Sequence, residues 1–290
     1  EQEVIVSDMK QRTAAVTGAG SGLGRDIALG LAARNYRVFG TAFTPNEIED
    51  LNQASGGVVT LTVCDITDAI GVKNWAHGVA THTVGSLDLL INNAGILTPG
   101  PLEILSLDAI RHEFEVNVFG ALSVMNAFLP ALRKARGRIV QISTFTASLP
   151  LPFNGASGAS KAATEVFAAV YRAELKHLGV DVVVVPAGIM RTGGPAKTDA
   201  AVARIAAEMT PEQRELYGQT FAVFAQGLSA MQKGGLDSAS AATRVIEIAE
   251  QMPAPSRAAV GEDAEEILRF VREKSDAEQD ALRLKLVGLN

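Results

Sequence analysis

The sequence alternates short apolar runs with longer amphipathic stretches, and this alternation constrains the fold more than any other feature. Residues 58–63, 87–91, 138–142 and 181–185 are rich in valine, isoleucine and leucine. Continuous apolar strands of this kind are typical of a parallel sheet whose two faces are both covered by helices. The helix-like stretches between the runs supply the crossover connections that parallel strands require. The sequence therefore predicts an α/β fold with a doubly wound parallel sheet.

The elements of this fold are predicted from the same pattern. Strands are expected at residues 14–17, 36–39, 58–63, 87–91, 138–142 and 181–185, with a further strand at 258–260. Long helices are expected at 107–133 and 160–177, and shorter ones at 27–33, up to 81, at 243–251 and from 263 onward. Residues 191–235 are rich in alanine, glycine and glutamine and are predicted to form an inserted helical lid. We expect one domain over residues 10–275, followed by a tail at 276–290.

Composition and charge exclude several classes of protein. Of the 290 residues, 47% are hydrophobic and 20% are charged, which is typical of a folded chain rather than a disordered one. The formal net charge of −6 and the absence of a basic block argue against nucleic acid or an anionic membrane as a partner. The apolar stretch 182–190 is too short to span a bilayer.

Cysteine and histidine usage bears on compartment and metal binding. Cys64 is the single cysteine, so the sequence contains neither an internal disulfide nor a thiolate metal cluster. The four histidines show no metal-ligand spacing, and we predict no metal site. Residues 1–7 do not resemble a signal peptide. We therefore expect a cytoplasmic protein.

A glycine-rich segment at residues 17–24 directly follows the first predicted strand and precedes the first helix. Glycines at such a turn let the backbone approach a pyrophosphate, and the helix N-terminus offers free N–H groups and a positive dipole end. The spacing of Gly18, Gly22 and Gly24 differs from the G-x-G-x-x-G fingerprint. A glycine-rich turn without a ligand is the alternative, but the position between strand and helix favours a phosphate site.

These residues and five blocks further along the chain resemble the short-chain dehydrogenase/reductase family, in particular its hydroxysteroid-dehydrogenase-like branch. Residues 17–24 resemble the Thr-Gly-x-x-x-Gly-x-Gly loop of that family. The further blocks follow in the family's order along the chain, at 64–67, 92–95, 115–118, 186–192 and 257–264. The resemblance covers about residues 10–275 and implies a Rossmann-type sheet.

The resemblance also implies a nicotinamide dinucleotide cofactor. Asp65 corresponds to the family's contact with the adenine ring, and residues 186–192 correspond to the segment that closes over the nicotinamide. The implied cofactor-binding residues are Gly18, Ser21, Gly22, Leu23, Gly24, Thr41, Asp65, Ile66, Asn93, Ala94, Gly95, Lys161, Gly188 and Thr192. Taken singly, Asp65, Asn92, Asn93 or Asn117 would be interpreted as turn, capping or helix-surface residues. Their joint order favours the functional interpretation.

The resemblance breaks at the family's proton donor, a tyrosine four residues before a lysine on the same helix face. Lys161 is present, but position 157 holds a serine. Thr144, thirteen residues before Ser157, fills the position of the serine that orients the substrate carbonyl. Asn117 fills the position that organises a water relay. The resemblance therefore implies Asn117, Thr144, Ser157 and Lys161 as catalytic residues with a modified proton relay.

Ser157 cannot simply replace a phenol. Its hydroxyl is a much weaker acid and is shorter by a whole ring, and a positioned acid contributes ~10² to 10⁴ in rate. One alternative is a water held by Ser157, Lys161 and Thr144. A second is Tyr217 from the lid, with Tyr171 a poorer candidate. A third is that a tyrosine at position 157 was deliberately replaced, leaving an inactive variant.

Cofactor selectivity is predicted from the end of the second strand. An acidic residue there would bond the ribose 2′-hydroxyl and select NAD, but the position is Ala42. Thr41, Thr44 and Arg25 are available to bond a 2′-phosphate. The sequence therefore favours NADP over NAD.

Two functions of different classes remain open. The first is an NAD(P)-dependent oxidoreductase that transfers a hydride between nicotinamide and a carbonyl or alcohol. A hydrophobic substrate is indicated by apolar lid residues, although their spacing is equally typical of a core or an interface. These residues are Met209, Tyr217, Phe221, Phe224 and Met231. The second is a non-catalytic dinucleotide-binding protein that acts as a sensor or partner subunit. The family resemblance further implies a homodimer or homotetramer formed through helices 107–133 and 160–177.

Overall fold

A computed structural model describes residues 11–191 and 194–289. In this part of the chain, six parallel strands form one sheet in the order β3-β2-β1-β4-β5-β6. The strands are β1 (Arg12–Val16), β2 (Tyr36–Ala42), β3 (Val59–Val63), β4 (Leu89–Asn92), β5 (Arg138–Thr144) and β6 (Asp181–Ala187). The chain order reverses between β1 and β4, and ligands of such sheets bind at that point. The predicted doubly wound parallel sheet is confirmed.

Helices cover both faces of the sheet and explain why its strands are continuously apolar. The helices before the lid are α1 (Gly22–Ala33), α2 (Pro45–Ser55), α3 (Ala69–His82), α4 (Leu107–Phe114), α5 (Ala121–Ala135) and α6 (Gly155–Leu175). Successive strand residues face opposite sides. Ala14 and Val16 of β1 therefore join the cluster packed under α1, whereas Ala15 joins the cluster packed under α3 and α5.

The long helix predicted at 107–133 is interrupted by a π-helical turn. α4 ends at Phe114, Glu115–Gly120 forms the π turn, and α5 follows without a break. Such turns occur frequently at functional sites, and this one carries Asn117. Within the described residues, Leu107–Ala135 is long and apolar enough to span a bilayer, but 56% of its most apolar window is buried in the fold. Such burial is typical of a core helix.

The lid consists of two helices whose connections to the rest of the fold lie side by side. β7 (Met190–Arg191) pairs in parallel with β8 (Leu236–Asp237), and between them lie α7 (Gly194–Glu208) and α8 (Pro211–Gly234). Of the predicted apolar lid residues, Met209, Tyr217, Phe221 and Phe224 belong to one separate core, whereas Met231 lies outside it. Phe221 and Phe224 pack against the Phe153 ring at centroid distances of 5.4 and 5.5 Å.

The C-terminal part of the chain completes the fold. Its helices are α9 (Ser238–Glu250), α10 (Glu262–Glu273) and α11 (Asp276–Leu286). Val287, after α11, packs into the lid core. The strand predicted at 258–260 is wrong, because this segment makes only two isolated parallel bridges to β6, at Arg257 and Val260. Its backbone exchanges hydrogen bonds with Val184, Pro186 and Gly188, but the ladder is incomplete because Pro186 has no N–H group to donate.

Helix α2 was not predicted, although its start carries a readable signal in the sequence. Thr44 accepts a hydrogen bond from the Glu47 N–H group, and the Glu47 carboxylate accepts one from the Thr44 N–H group. Pro45 occupies the first helical position. This Thr-Pro-x-Glu pattern is a capping box, which marks a helix N-terminus in sequence.

Candidate functional site

The glycine-rich segment after β1 is fixed to the segment after β4 by one buried threonine. Thr17 Oγ1 accepts hydrogen bonds from the backbone N–H groups of Asn93 and Ala94, both at 2.9 Å. Asn93 Nδ2 donates in return to the Thr17 carbonyl oxygen at 2.9 Å. Asn92 lies beneath this contact and donates to Gln141 and to the Ala121 carbonyl group. Two of the predicted cofactor blocks therefore meet at the switch point of the sheet.

The glycine-rich segment has the geometry of an anion cradle. Gly18 has a φ of +66°, which favours glycine, and a Cβ on Gly24 would lie 2.2 Å from the Gly18 carbonyl oxygen. Leu23 is buried and anchors α1 on the sheet. Within the described structure, the Ser21 side chain makes no capping hydrogen bond, and the first turn of α1 holds no acid. Ser21, Gly22 and their neighbours therefore leave N–H groups available to a phosphate.

The other predicted adenosine contacts differ in their placement. Thr41 is 2% exposed, and its hydroxyl accepts a hydrogen bond from the Gly18 N–H group at 2.9 Å. It therefore supports the glycine-rich segment from inside. Asp65 is exposed, and its Oδ1 accepts hydrogen bonds from the Thr67 N–H and hydroxyl groups at 2.9 and 2.8 Å. Ile66 is buried against Gly120 of the π turn.

The segment after β6 is held by an acidic residue from the C-terminal block. Asp263 Oδ2 accepts a hydrogen bond from the Ile189 N–H group at 2.7 Å. A Cβ on Gly188 would lie 1.9 Å from Asp263 Oδ1, so this position requires glycine. The Gly188 N–H group donates to the Val260 carbonyl oxygen at 2.8 Å. The predicted residue Thr192 lies outside the described residues.

A buried polar cluster joins the π turn, α6 and the segment after β4. Asn117 Nδ2 donates to Ser160 Oγ at 2.9 Å and to the Ile96 carbonyl oxygen at 3.0 Å. Asn117 Oδ1 accepts from the Ile96 N–H group at 2.8 Å. Thr164 Oγ1 donates to the Asn117 carbonyl oxygen at 3.0 Å. These contacts fix Asn117 against the helix that carries Ser157 and Lys161.

Lys161 lies beside Asn117 and behind the Asn-Asn-Ala-Gly block. A Cβ on Gly95 would lie 3.0 Å from both Lys161 Nζ and Asn117 Oδ1, which explains the glycine. Lys161 Nζ donates to the Ile142 carbonyl oxygen near the end of β5, at 3.4 Å. Burial lowers the pKa of Lys161 to about 8, although the Glu113 carboxylate acts to raise it.

Thr144 and Ser157 lie where β5 ends and α6 begins. Thr144 is half-buried, and its hydroxyl accepts a hydrogen bond from the Thr146 N–H group at 3.3 Å, which caps a short 3₁₀ turn. This turn packs under α6, where a Cβ on Gly158 would lie 3.0 Å from the Thr146 carbonyl oxygen. Ser157 itself is 7% exposed. The predicted catalytic residues therefore share one region of the fold.

The structure places a buried glutamate in this cluster that the sequence analysis missed. Glu113 is fully buried in the last turn of α4. Its Oε2 accepts a hydrogen bond from the Thr98 N–H group at 3.0 Å, and Oε1 lies 3.4 Å from Asn117 Nδ2. The readable signal was the four-residue spacing of Glu113 and Asn117, which puts both on one helix face.

Burial dominates the electrostatics of Glu113. Removal from water raises the pKa of its carboxyl group to about 7. The hydrogen bond from Thr98, the charge of Lys161 and the nearby Ser157 hydroxyl act in the opposite direction. The cluster thus holds an acid and a base that both titrate near neutral pH.

The tyrosines considered as substitutes for a phenol at position 157 lie elsewhere. The Tyr217 hydroxyl donates to the exposed Glu103 carboxylate. The Tyr171 hydroxyl donates to Asn126 Oδ1 of α5 at 2.6 Å. A cavity of about 510 Å³ opens in the lid, and all its lining residues belong to 202–226. It is therefore separate from the polar cluster.

The pKa of Glu113 predicts a measurable dependence of stability on pH. The unfolded chain loses this proton near pH 4.5 and the folded chain near pH 7, so folding becomes less favourable as pH rises through that window. Between pH 5 and 7.5 we expect the free energy of unfolding of the parent protein to fall by about 2 kcal/mol more than that of Glu113→Gln. Urea unfolding of both proteins at the two pH values measures it.

The control for this measurement is Glu115→Gln, at an exposed position two residues further along. It should retain the pH dependence of the parent protein. Lys161 adds little slope in this window, because it is mainly protonated in both the folded and the unfolded protein below pH 8, where the cost of burying its charge is constant. Equal pH dependence in the Glu113→Gln and parent proteins would contradict the assigned burial of the charge.

Comparison with known proteins gives the same family at the level of sequence. The model of the family described as short chain dehydrogenase matches residues 12–203. Retinol dehydrogenase 16 of Mus musculus is 32% identical over 222 residues, which are 75% of this chain and 69% of that protein. Human 17-beta-hydroxysteroid dehydrogenase type 6 is 36% identical over 193 residues, which are 65% of this chain and 60% of that protein. The match therefore spans less than two thirds of the human relative.

Solved structures extend the similarity over nearly the whole chain. A short chain dehydrogenase from Burkholderia cenocepacia J2315 in complex with NADP has a TM-score of 0.71 and 27% identity, covering 95% of this chain and 97% of that one. A Burkholderia phymatum short chain dehydrogenase/reductase in complex with NAD has a TM-score of 0.76. It covers 94% of this chain and 95% of that one, and at 23% identity it supports the fold alone.

Proposed function

Because the chain belongs to the short-chain dehydrogenase family, whose members are NAD(P)-dependent oxidoreductases, we propose that it transfers a hydride between a nicotinamide and a hydrophobic carbonyl or alcohol. The observation that carries this proposal is the assembly of Asn117, Ser157 and Lys161 beside an uncapped glycine-rich segment. We also propose that Ser157 stands where the family has a tyrosine, and that the proton relay is therefore non-standard.

The residues present fit a dinucleotide. The N–H groups at the start of α1, from Ser21 to Gly24, suit the pyrophosphate, and Asp65 suits the adenosine end. Gly95 keeps the surface beside Lys161 free of side-chain atoms. Asp263 holds Gly188 and Ile189 in place at the nicotinamide end. When bound, the nicotinamide supplies or accepts the hydride.

The chain's own residues bind and orient the substrate oxygen. Lys161 remains mainly charged at neutral pH, because its pKa is about 8, and its charge favours a developing alkoxide. The Thr144 hydroxyl is available to donate to that oxygen while it accepts from Thr146. We propose that a water molecule between Ser157, Lys161 and Thr144 takes the space that a longer side chain would fill.

The substrate class is proposed from the lid and from the relatives. The lid presents an apolar interior, with Met209, Phe221 and Phe224 buried in it. The relatives named for retinol and for 17-beta-hydroxysteroids have bulky apolar alcohols in their names. Both observations support a hydrophobic alcohol or ketone.

One observation favours the second candidate, a non-catalytic dinucleotide-binding protein that serves as a sensor or partner subunit. Among the described residues, the tyrosines do not contribute a hydroxyl to the polar cluster, and Tyr171 and Tyr217 are bonded elsewhere. Such a protein would retain the phosphate cradle without the proton donor. We rank it second, because the lysine, asparagine and hydroxyl positions of the family's catalytic set are all still filled, by Lys161, Asn117 and Thr144.

Turnover by the protein and by its Ser157→Tyr variant tests the proposed function. We expect the parent protein to oxidise NADPH in the presence of apolar ketones or aldehydes, since a hydroxyl, an ammonium and an asparagine remain. We expect Ser157→Tyr to change kcat more than KM, because the proton path and not the binding surface is altered. Absorbance of the reduced nicotinamide measures both.

Two outcomes would redirect the proposal. Turnover in the Ser157→Tyr variant alone would indicate an intact pocket that lacks its acid. Cofactor binding without turnover in either protein, across ketones, aldehydes and diketones, would contradict the enzyme and favour the sensor.

NADP is the proposed cofactor, because Ala42 leaves the end of β2 without an acid. One carboxylate nearby opposes this choice. Glu47 Oε2 accepts hydrogen bonds from the N–H groups of Phe43 and Thr44 at 2.8 and 3.1 Å. A Cβ on Gly20 would lie 2.9 Å from the same oxygen, so the charge lies against the glycine-rich segment. We therefore propose that the protein prefers NADP and that the negative charge of Glu47 weakens this preference.

The variant Glu47→Gln tests this limit. We expect it to tighten NADPH binding about fivefold, because removing one negative charge near a phosphate is worth about 1 kcal/mol in water. NADH binding should stay within about twofold, since glutamine still accepts the capping hydrogen bonds. Fluorescence titration of the reduced cofactors measures both affinities.

Glu49→Gln, at an exposed position of the same helix, is the control. Equal changes for both cofactors would contradict the assignment.

A homodimer or homotetramer is proposed from an exposed apolar face of α6. Val166, Phe167 and Val170 are 41–64% exposed there, and Phe119 of the π turn is 54% exposed. Exposed apolar patches of this kind mark interaction surfaces. We expect Val166→Glu with Val170→Glu to shift the protein to a monomer in light scattering, with urea stability retained. An unchanged mass would exclude this face as the interface.

A further inference from the structure

Three arginines that are far apart from the glycine-rich segment in the sequence line one cleft at the edge of the sheet. The cleft lies between α10 and the segment at 257–259, which runs beside β6. Its volume is about 350 Å³, and clefts that bind small molecules have volumes of about 300 to 1,000 Å³. Arg257 and Ala259 line it from the segment, and Glu265, Arg269 and Arg272 line it from α10. We call it the arginine cleft.

We propose that the arginine cleft binds the phosphate group of a small molecule. At neutral pH a phosphate group carries about 1.5 to 2 negative charges and has three oxygens that accept hydrogen bonds. Donors line the cleft from two sides, so they can contact several of these oxygens at once. A carboxylate carries one charge and has two oxygens in one plane, which suits a single arginine better. The proposal is independent of the proposed function, because the described residues that line the cleft all lie outside the candidate site.

The α10 side of the cleft presents two arginines whose charges are available to a ligand. Glu265, Leu268, Arg269 and Arg272 are three or four residues apart, so they share one face of the helix. Leu268 is buried and anchors this face on the fold, whereas both arginines are exposed. Within the part of the chain that the structure describes, neither arginine makes an ion pair or a side-chain hydrogen bond. A guanidinium group in this state offers five N–H donors.

The opposite side of the cleft is held in a fixed position. The Arg257 guanidinium group donates to the Glu165 carboxylate on α6, and Glu165 is 8% exposed. The N–H groups of Ala258 and Val260 donate to carbonyl groups of β6 at 3.1 and 3.0 Å. The Ala259 N–H group lies between them and, since successive residues of an extended segment face opposite sides, it points away from β6. It has no hydrogen-bond partner among the described residues and is a further donor beside Arg257.

Positive charge is concentrated at this corner of a chain whose formal net charge is −6. Arg172 of α6 lies close to Arg257, because its guanidinium group donates to the Ser256 carbonyl oxygen at 2.8 Å. Burial and the charge of Arg257 lower the pKa of Arg172. Four guanidinium groups therefore stand against two carboxylates, those of Glu165 and Glu265. A bound anion relieves the repulsion between these guanidinium groups.

Titration with pyrophosphate tests the proposal. Isothermal titration calorimetry is run at constant ionic strength and with excess NADP, because the glycine-rich segment is itself a candidate phosphate site. We expect Arg269→Ser with Arg272→Ser to weaken binding at least about tenfold, since a hydrogen bond to a charged group contributes about that much. Both side chains are exposed, so the fold should be retained. Equal affinity of the parent protein and this variant would overturn the proposal, and so would the absence of binding to the parent protein.

The acid in the cleft provides a test in the opposite direction. We expect Glu265→Gln to tighten pyrophosphate binding about fivefold, because it removes one negative charge close to the anion. Glu266→Gln is the matched control, since Glu266 is exposed and does not line the cleft. It changes the net charge of the protein by the same amount and should alter the affinity less than about twofold. Equal effects of the two variants would show a response to net charge alone and would overturn the proposal.

Nuclear magnetic resonance locates the anion without reference to the cofactor. In ¹⁵N-labelled protein, the Nε–H resonances of Arg269 and Arg272 should shift during titration with pyrophosphate. The resonance of Arg204, an exposed arginine of α7, should stay in place. Shifts of equal size at all three positions would indicate diffuse binding to surface charge and would overturn the assigned site.

A comparison of anions tests the assigned chemistry. We expect pyrophosphate and inorganic phosphate to compete for the cleft, and succinate at the same ionic strength to bind more weakly than inorganic phosphate. Succinate binding as tight as that of phosphate would overturn the assignment of a phosphate group. Failure of the protein to reduce carbonyls would contradict the proposed function and leave this inference untouched, because neither the titration nor the resonance shifts depend on turnover.

Discussion

The buried Thr17 hydroxyl is the contact on which the arrangement of the site depends. It accepts two backbone hydrogen bonds from the segment after β4 and so fixes that segment against the glycine-rich turn. Thr41 supports the same turn from the other side by accepting from Gly18. The phosphate cradle and the polar cluster lie on opposite sides of this junction. A shift at Thr17 would therefore separate the two halves of the site, although neither half contains it.

The polar cluster brings the pKa values of an acid, Glu113, and a base, Lys161, closer together. Burial disfavours the charged form of both groups, which raises the pKa of Glu113 and lowers that of Lys161. Their mutual attraction opposes both shifts and keeps the pair from becoming neutral altogether. Such opposed, environment-driven shifts are the usual basis of proton transfer in enzymes at neutral pH. Asn117, which contacts the Glu113 carboxyl group and lies beside Lys161, belongs to both environments.

The sheet and much of the candidate site could be predicted from the sequence, because they depend on local pattern. Apolar runs predict buried parallel strands, and the order of short blocks predicts which loops meet. Features that depend on three-dimensional packing could not be predicted. Glu113 looks like an ordinary helix-surface acid until α6 is placed over it, and Thr41 looks accessible until its hydroxyl is seen bonded to Gly18. The segment at 258–260 has strand composition, but it forms only isolated bridges to β6, in which Pro186 has no N–H group to donate.

The paired strands β7 and β8 have a consequence for how such a chain can diversify. Because the lid begins and ends on adjacent strands, its length and sequence can change without moving the ends that join it to the sheet. Long insertions between fixed, neighbouring ends add little to the entropy of loop closure. The lid can therefore evolve as an exchangeable module, while the parallel sheet and the residues at its switch point keep their positions.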